Sequence, residues 1–330
     1  MLKKLLISFF VALFFITFSK WDAAHIFNEL FQKMTQNAPN TLQSAYSFSE
    51  SGKEVFCGME YNDVLTHFGD PLDILESEYG FSWNIFHQNF LNYIQIGVQN
   101  NRVVGIYTNS PAFSFCGITV GTDKTKVHMT LETPINYIIK NNTKYIMNGL
   151  NEEQVNMELF LVENMYVTIF YDVHKNNSVT AIHIIDYETE QSLDTLFGAG
   201  SSSLAESFEK QNFYVTNALR VREGLPPLSY HKGAESIART HSADMATHEY
   251  FDHTDLSGGT VFDRAQKKQV YFRSIGENIA MGSQNTLFMH ELLMNSEGHR
   301  KNILANFHSV GMGIAFSKEN VPYLTQNFIG

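Results

Sequence analysis

Residues 241–254 read His241-Ser242-Ala243-Asp244-Met245-Ala246-Thr247-His248-Glu249-Tyr250-Phe251-Asp252-His253-Thr254. Together with the residues before it, this run puts Ala234, Ile237, Ala238, His241, Met245 and His248 on one stripe at helical spacing. It predicts a helix over 233–248. His241 and His248 then face inward or into a groove, although a hydrogen-bonded core histidine is the commoner role for either alone. Upstream, 204–223 reads as a helix stopped by Gly224 and Pro226-Pro227, with Asn217 and Arg220 sharing a face with Phe213. Downstream, 255–259 is a polar Gly-rich loop and 261–268 a short helix. Gly276-Glu277-Asn278-Ile279 begins a further segment. Residues 287–295 form an amphipathic helix ended by Ser296-Glu297-Gly298-His299-Arg300. The tail alternates over 310–316 and 323–328, as two paired strands do.

The chain has 330 residues, 44% hydrophobic and 17% charged. That is room for two domains, and too apolar for a disordered or collagen-like chain. The net charge of -11 argues against nucleic acid as a partner, because phosphate binding needs a basic face. The charge is uneven. Residues 21–204 hold 8 basic and 21 acidic side chains, whereas residues 205–330 hold 12 and 13. Two modules with different surfaces are expected from that asymmetry. Two cysteines exclude a disulfide-dense scaffold.

Lys3 and Lys4 precede an uncharged Leu- and Phe-rich run over 5–19, the n-region and h-region of a secretory signal. No Ala-x-Ala site follows, so residues 1–20 read as a signal peptide or as an uncleaved N-terminal anchor. Residues 21–54 read as a stalk. The segment 55–187 looks duplicated. Phe56-Cys57-Gly58 and Phe115-Cys116-Gly117 each precede a helix-like stretch (61–68 and 124–131). Each copy then alternates around an Asn-rich turn, Asn100-Asn101 or Asn176-Asn177. A helix plus a hairpin, twice, makes an α+β module. Cys57 and Cys116 hold matching places, either bonded across the repeats or as two unpaired thiols. His67, His87, His128, His174 and His183 read as surface or packing histidines. Residues 188–203 form a linker, flexible in composition over 198–203, and 204–330 make the second module.

Five strings occur in order: NALRVREGLPPL (217–228), HSADMATHEYFDHT (241–254), GENIA (276–280), NSEGHRKNIL (295–304) and FHSVGMGIA (307–315). They resemble the CAP superfamily of cysteine-rich secretory, antigen 5 and pathogenesis-related 1 proteins. The segment before them is similar to the CAP-associated N-terminal module of secreted Bacillus-type proteins. The resemblance implies an α–β–α sandwich with a central antiparallel sheet. It also implies a cavity tetrad of two histidines and two acids: His253 in FDHT, Glu277 in GENI, Glu297 in NSEGH, and His308. The last stands for the histidine of a GHYTQ-like string, with Phe307 and Ser309 in place of its glycine and aromatic residue. Asn217, Arg220, His241, His248, Asn278 and His299 are expected to support the groove.

Two imidazoles and two carboxylates around one cleft suit a divalent cation, zinc or calcium, or proton transfer near neutral pH. A mutually satisfied polar network is the structural counterpart. Spacings of 24, 20 and 11 residues make no local metal motif, and no GxSxG string or cysteine supplies a nucleophile in this half. The reading is therefore an exported binding module of the cell surface or wall, secreted or held on the outer face of the cytoplasmic membrane, with a partner or ligand in the envelope. A metal-assisted hydrolase and a carrier of lipid or small apolar ligands are the alternatives. For the carrier, residues 262–275 mix basic and aromatic side chains that suit a membrane surface, although a solvated amphipathic segment is commoner.

Overall fold

The computed structural model describes residues 15–17, 47–50, 53–147 and 155–330. In chain order the first half contains β1 (Phe15–Thr17), β2 (Phe48–Glu50), β3 (Lys53–Val55), α1 (Tyr61–Phe68), β4 (Asp73–Glu76), β5 (Ser82–Gln88), β6 (Leu91–Gln99), β7 (Arg102–Thr108) and β8 (Ser114–Phe115). There follow α2 (Lys124–Leu131), β9 (Tyr137–Lys140), β10 (Thr143–Ile146), β11 (Met157–Val162), β12 (Met165–Asp172), β13 (Ser178–Asp186) and α3 (Tyr187–Gln191). The second half contains α4 (Ser202–Arg222), β14 (Ser229–Tyr230), α5 (Lys232–His248), α6 (Val261–Lys267), β15 (Ile275–Met281), α7 (Thr286–Asn295), α8 (Glu297–Leu304), β16 (Ser309–Phe316) and β17 (Pro322–Ile329).

The duplication is real and carries an internal symmetry. Seven strands form one sheet in the order β11-β12-β13-β7-β6-β5-β4. Two three-stranded meanders meet where β13 pairs with β7, Ile182 opposite Thr108 and Ile184 opposite Ile106. Asn100-Asn101 and Asn176-Asn177 adopt positive φ, as does Asn141-Asn142 between β9 and β10. Asparagine tolerates that region, and two such residues make the turn whose twist matches a hairpin. The strands β5 and β11, which complete each meander, extend the hairpins read from sequence. Helices α1 and α2 cover one face through Val64, Val127 and Leu131, packed on Ile94, Ile106, Val167 and Ile182. Cys57 and Cys116 border this core and are not bonded to each other.

The segment 21–54 is not stalk throughout. Phe48 and Val55 are buried in the first core, and β2 pairs with both β3 and β8. From the signal or anchor segment, Phe15–Thr17 pairs with β10. The rest of 1–20 and all of 21–46 lie outside the described residues. Among the described residues no helix is long and apolar enough to cross a membrane.

The second half is the expected α–β–α sandwich. Its sheet runs β14-β16-β17-β15, antiparallel except for the short parallel pair β14–β16. Helix α5 lies on one face at backbone contact. A Cβ on Gly311 would sit 1.9 Å from the Glu235 nitrogen, and one on Gly313 would sit 2.1 Å from that of Arg239. Only glycine permits that approach. The other face carries α4, α7 and α8, with Phe208, Leu219, Met289, Leu293 and Ile303 packed on Val310, Met312, Leu324 and Phe328.

Two expectations need correction. First, 287–295 is not amphipathic. Every residue of α7 from Thr286 to Met294 except Leu292 is buried, because the sheet of the first half covers the side left free by the second. Second, Ser296-Glu297-Gly298-His299-Arg300 does not simply end that helix. A further helix, α8, begins at Glu297 after a single non-helical residue.

The boundary 188–203 is tied down rather than flexible. Leu196 is buried, and Gly198 lies so close to Glu78 that a Cβ there would sit 2.1 Å from the Glu78 carbonyl oxygen. The halves share one core, in which Trp83, Tyr107, Phe170 and Ile185 meet Val215, Ala218, Leu287 and Phe288. Polar bonds cross it as well: Tyr107 OH to Glu291 Oε1 at 2.8 Å, Asn285 Nδ2 to Glu78 Oε1 at 2.5 Å, and Arg300 Nη2 to Asp172 Oδ2 at 2.9 Å.

Burial pushes the Glu291 carboxyl up to about 7. The folded value lies above the unfolded one. The group therefore favours the fold most below pH 4.5, and that contribution is lost as pH rises towards 7. Glu291→Gln should accordingly raise the melting temperature more at pH 8 than at pH 5, the difference reaching up to about 3 kcal/mol. Equal shifts at both pH values would show that Glu291 is not held protonated at the seam.

Candidate functional site

The site forms where the loop after α5, the short helix α6 and the edge strand β15 meet. Asp255 Oδ1 gathers the loop by accepting from Ser257 N at 3.0 Å and Gly259 N at 2.8 Å. The bond from the Ser257 hydroxyl, with these from the backbone, holds the Asp255 carboxyl below its usual range. Thr260 and Asp263 then form a capping box that starts α6. The box fixes where Arg264 leaves the helix, and Arg264 is the residue that closes the site. Its Nη1 donates to the His253 carbonyl at 3.1 Å and to the Gly259 carbonyl at 3.0 Å. Its Nη2 lies 2.6 Å from Glu277 Oε2.

Glu277 is buried on β15, and its other oxygen lies 3.0 Å from His253 Nδ1. The His253 side chain is 42% exposed, so a solvent-reachable imidazole backs onto a buried carboxylate. The His299 ring, on the first turn of α8, is centred 6.5 Å from that of His253. Burial, with the charge of His253, pulls His299 down to about 4 and keeps it neutral near pH 7.

Beside this pair a groove of about 790 Å³ opens between α5 and α6, lined by His241, Asp244, His248, Asp255, Arg264 and Lys268 among others. His241 is buried, and its Nε2 lies 2.9 Å from the Asp252 carbonyl. That bond requires Nε2–H and leaves Nδ1 as an acceptor. Burial lowers the His241 pKa, so the ring stays neutral. His241 Nδ1 and Arg264 Nε are both buried without a partner among the described residues.

The structure brings His253 and Glu277 together, and does not gather the four as one set. Glu297 is exposed at the start of α8 and its side chain enters none of the described hydrogen bonds or ion pairs. It stands two residues before His299, and helix positions two apart point to nearly opposite sides. His308 is exposed too, bonded through its backbone to Ile329 and Ser229 next to β14. Glu277 lies on β15, two strands away, opposite Asn327 and through it Gly311. Two strand spacings and three residues of rise separate His308 from Glu277 by roughly 14 Å between Cα atoms. The Gly-His pair of the GHYTQ-like string stands instead at Gly298-His299, whose ring is centred 6.5 Å from that of His253.

These residues do not fit the zinc or calcium ion that the tetrad implied. Among the described residues no three His, Cys, Asp or Glu side chains group to hold a metal. The Arg264 guanidinium already places a positive charge against Glu277.

Of the supporting residues, His241 floors the groove. His248 lies on its exposed rim rather than inward, 2.9 Å from Asp244 Oδ1. Asn217, Arg220 and Asn278 serve the opposite face. Asn217 clamps both backbone groups of Leu228, Arg220 donates to the carbonyls of Pro226, Ile303 and Ala305, and Asn278 ties β15 to α8. Arg264 was not singled out from sequence. The Thr260-x-x-Asp263 capping signature directly before it was the available signal.

The sequence pattern described as the cysteine-rich secretory protein family matches residues 213–328, and that described as CAP-associated N-terminal matches residues 57–195. The uncharacterized membrane protein YlbC of Bacillus subtilis (strain 168) is 28% identical over 296 residues, 84% of each chain. The uncharacterized protein YkwD of the same strain is 31% identical over 227 residues, which cover 64% of this chain and 86% of that one. Among solved structures, an extracellular protein containing an SCP domain from Bacillus anthracis superposes with a TM-score of 0.70 at 27% identity. It covers 82% of this chain and 93% of its own. A cysteine-rich secretory protein from Staphylococcus aureus shares the fold, with a TM-score of 0.66 at 16% identity, over 82% and 92% of the two chains.

Arg264→Ala takes the guanidinium away from the buried Glu277 carboxylate, and should cost about 3–5 kcal/mol in urea unfolding. Adding Glu277→Gln should recover much of that loss. Additive losses would mean that the two side chains are not coupled.

Proposed function

Because the chain belongs to the cysteine-rich secretory protein family, with a CAP-associated N-terminal segment ahead of the family domain, we propose that it is an exported binding module of the cell surface or wall, and that the α5–α6 groove takes its ligand. Lys3, Lys4 and the uncharged run over 5–19 support export. So do the relatives, one described as extracellular and one as a membrane protein.

The observation that carries the reading is the pair of unpartnered nitrogens in the groove lining, His241 Nδ1 and Arg264 Nε. Buried polar atoms are rarely left unpaired, because each costs about 1–3 kcal/mol. One is an acceptor and the other a donor. An amide or a hydroxyl on a ligand offers the complementary donor and acceptor. Asp244, Asp255, Lys267 and Lys268 add charges of both signs to the walls. That chemistry suits a peptide or a polyhydroxylated wall fragment better than an alkyl chain. For the hydrolase alternative, no hydroxyl or thiol joins His253 in the described hydrogen bonds, and a nucleophile is what that chemistry needs first.

The full chain, immobilised, should retain soluble peptide or glycan fragments released from a Gram-positive wall. Ala243→Trp should reduce retention at least tenfold, since Ala243 is an exposed groove-lining position where an indole fills the space without disturbing the core. Retention unchanged by that substitution would remove the groove from the reading.

A further inference from the structure

We propose that the segment from Leu256 to Arg273, beside the groove, docks on an anionic phospholipid bilayer. Large apolar side chains stand out from this short stretch. Tyr271 is 92% exposed, Leu256 65% and Phe262 55%, and Phe272 packs against Phe262 with ring centroids 5.9 Å apart. Lys267, Lys268 and Arg273 are exposed among them. The one exposed acid of residues 262–275, Asp263, is occupied by the Thr260 capping box. Residues 205–330 hold 12 basic and 13 acidic side chains, so this face concentrates positive charge on a nearly neutral half.

That combination fits a bilayer interface better than bulk water. Tyrosine seats its ring among the acyl ends and its hydroxyl among the headgroups. Lysine stems lie along apolar surface while the ammonium reaches a phosphate. Each basic side chain near an anionic surface strengthens association by about fivefold at moderate salt, and the effect fades as salt rises. The three exposed apolar groups supply the salt-independent part. Leu256, Lys267 and Lys268 also line the groove. Docking on this face therefore brings the groove mouth to the membrane surface. The inference does not depend on what the groove binds, since Phe262, Tyr271 and Arg273 are not among its lining residues.

The test uses the full chain with Tyr271→Trp in a Trp21→Phe background. Trp83 is buried and serves as an internal control. Residues 1–20 are present in every arm, so differences between arms read the patch. With vesicles of brominated phosphatidylglycerol, emission from residue 271 should be quenched and blue-shifted. Quenching should fall several-fold with brominated phosphatidylcholine, in about 0.5 M salt, and in the Lys267→Glu, Lys268→Glu, Arg273→Glu triple variant. An unquenched reporter on chains that still float with phosphatidylglycerol vesicles overturns the proposal. So does a spectral shift produced by soluble polyphosphate and absent with vesicles, which would make the patch a reader of free polyanions.

Discussion

Both halves of the molecule rest on one buried surface, the second face of the seven-stranded sheet pressed against α4 and α7. Its apolar part joins Trp83, Tyr107, Phe170 and Ile185 to Val215, Ala218, Leu287 and Phe288. The sheet thereby loses the solvated side that an antiparallel meander usually keeps. Polar residues that alternation would have sent to water are enclosed instead, His183 and Gln95 among them. The seam then admits charge only where a partner meets it. Burial drives His183 and His290 down to about 3 and holds Glu78 and Glu291 up to about 7, each towards its neutral form. Arg300 and Asp172 meet as a pair across the boundary. A seam of this kind gives the two halves one fate in unfolding, and the chain between them no freedom to act as a hinge.

Local signals carried much of the fold in the sequence. Helices α1, α2, α4, α5 and α6 fall within two residues of their expected limits, because apolar spacing and capping residues act over a few positions. The Asn-Asn turns marked two hairpins for the same reason. What escaped is what a neighbour decides. Strand β5 reads Ser82-Trp83-Asn84-Ile85-Phe86-His87-Gln88, and its inner four residues are all buried. Strand β11 is a nearly continuous apolar run. Buried on both faces, neither shows the period-two pattern by which a strand is recognised. The misreading of α7 has the same origin, since its outer side is covered by a domain more than 100 residues away in sequence.

The site divides in the same way. His253 and Glu277 could be read from short strings because each sits at a fixed place in its own element, and the structure joins them at 3.0 Å. The rest of the tetrad depended on sheet register, which no local string states. A match at His308 places a histidine beside β14, whereas the fold sets His299, at the start of α8, with its ring 6.5 Å from that of His253. Arg264 was invisible for a related reason. An arginine in a short polar helix reads as solvated, and only the fold turns it onto a buried carboxylate. Its presence changes the chemistry of the pair from a metal-type cluster to a closed ionic network, with His253 as its exposed end.

The two walls of the groove are not equivalent, and this bears on how a ligand would be received. Helix α5 lies at backbone contact on Gly311 and Gly313 and runs through the core by Ala234, Ile237, Ala238 and Met245. It cannot shift without breaking the sandwich. Helix α6 is two turns long and offers Val261 and Ala265 as its buried apolar residues. A capping box and the reach of Arg264 to Glu277 hold the rest. Local opening free energy follows buried contact, so the α6 wall is the one able to adjust. A ligand that engaged Arg264 Nε would therefore bear on the same side chain that pins the loop over 253–259, and would couple occupancy of the groove to the setting of His253. Rigid floor, adjustable wall and a shared arginine make a receptor for a polar ligand mechanically sensible without any reacting group.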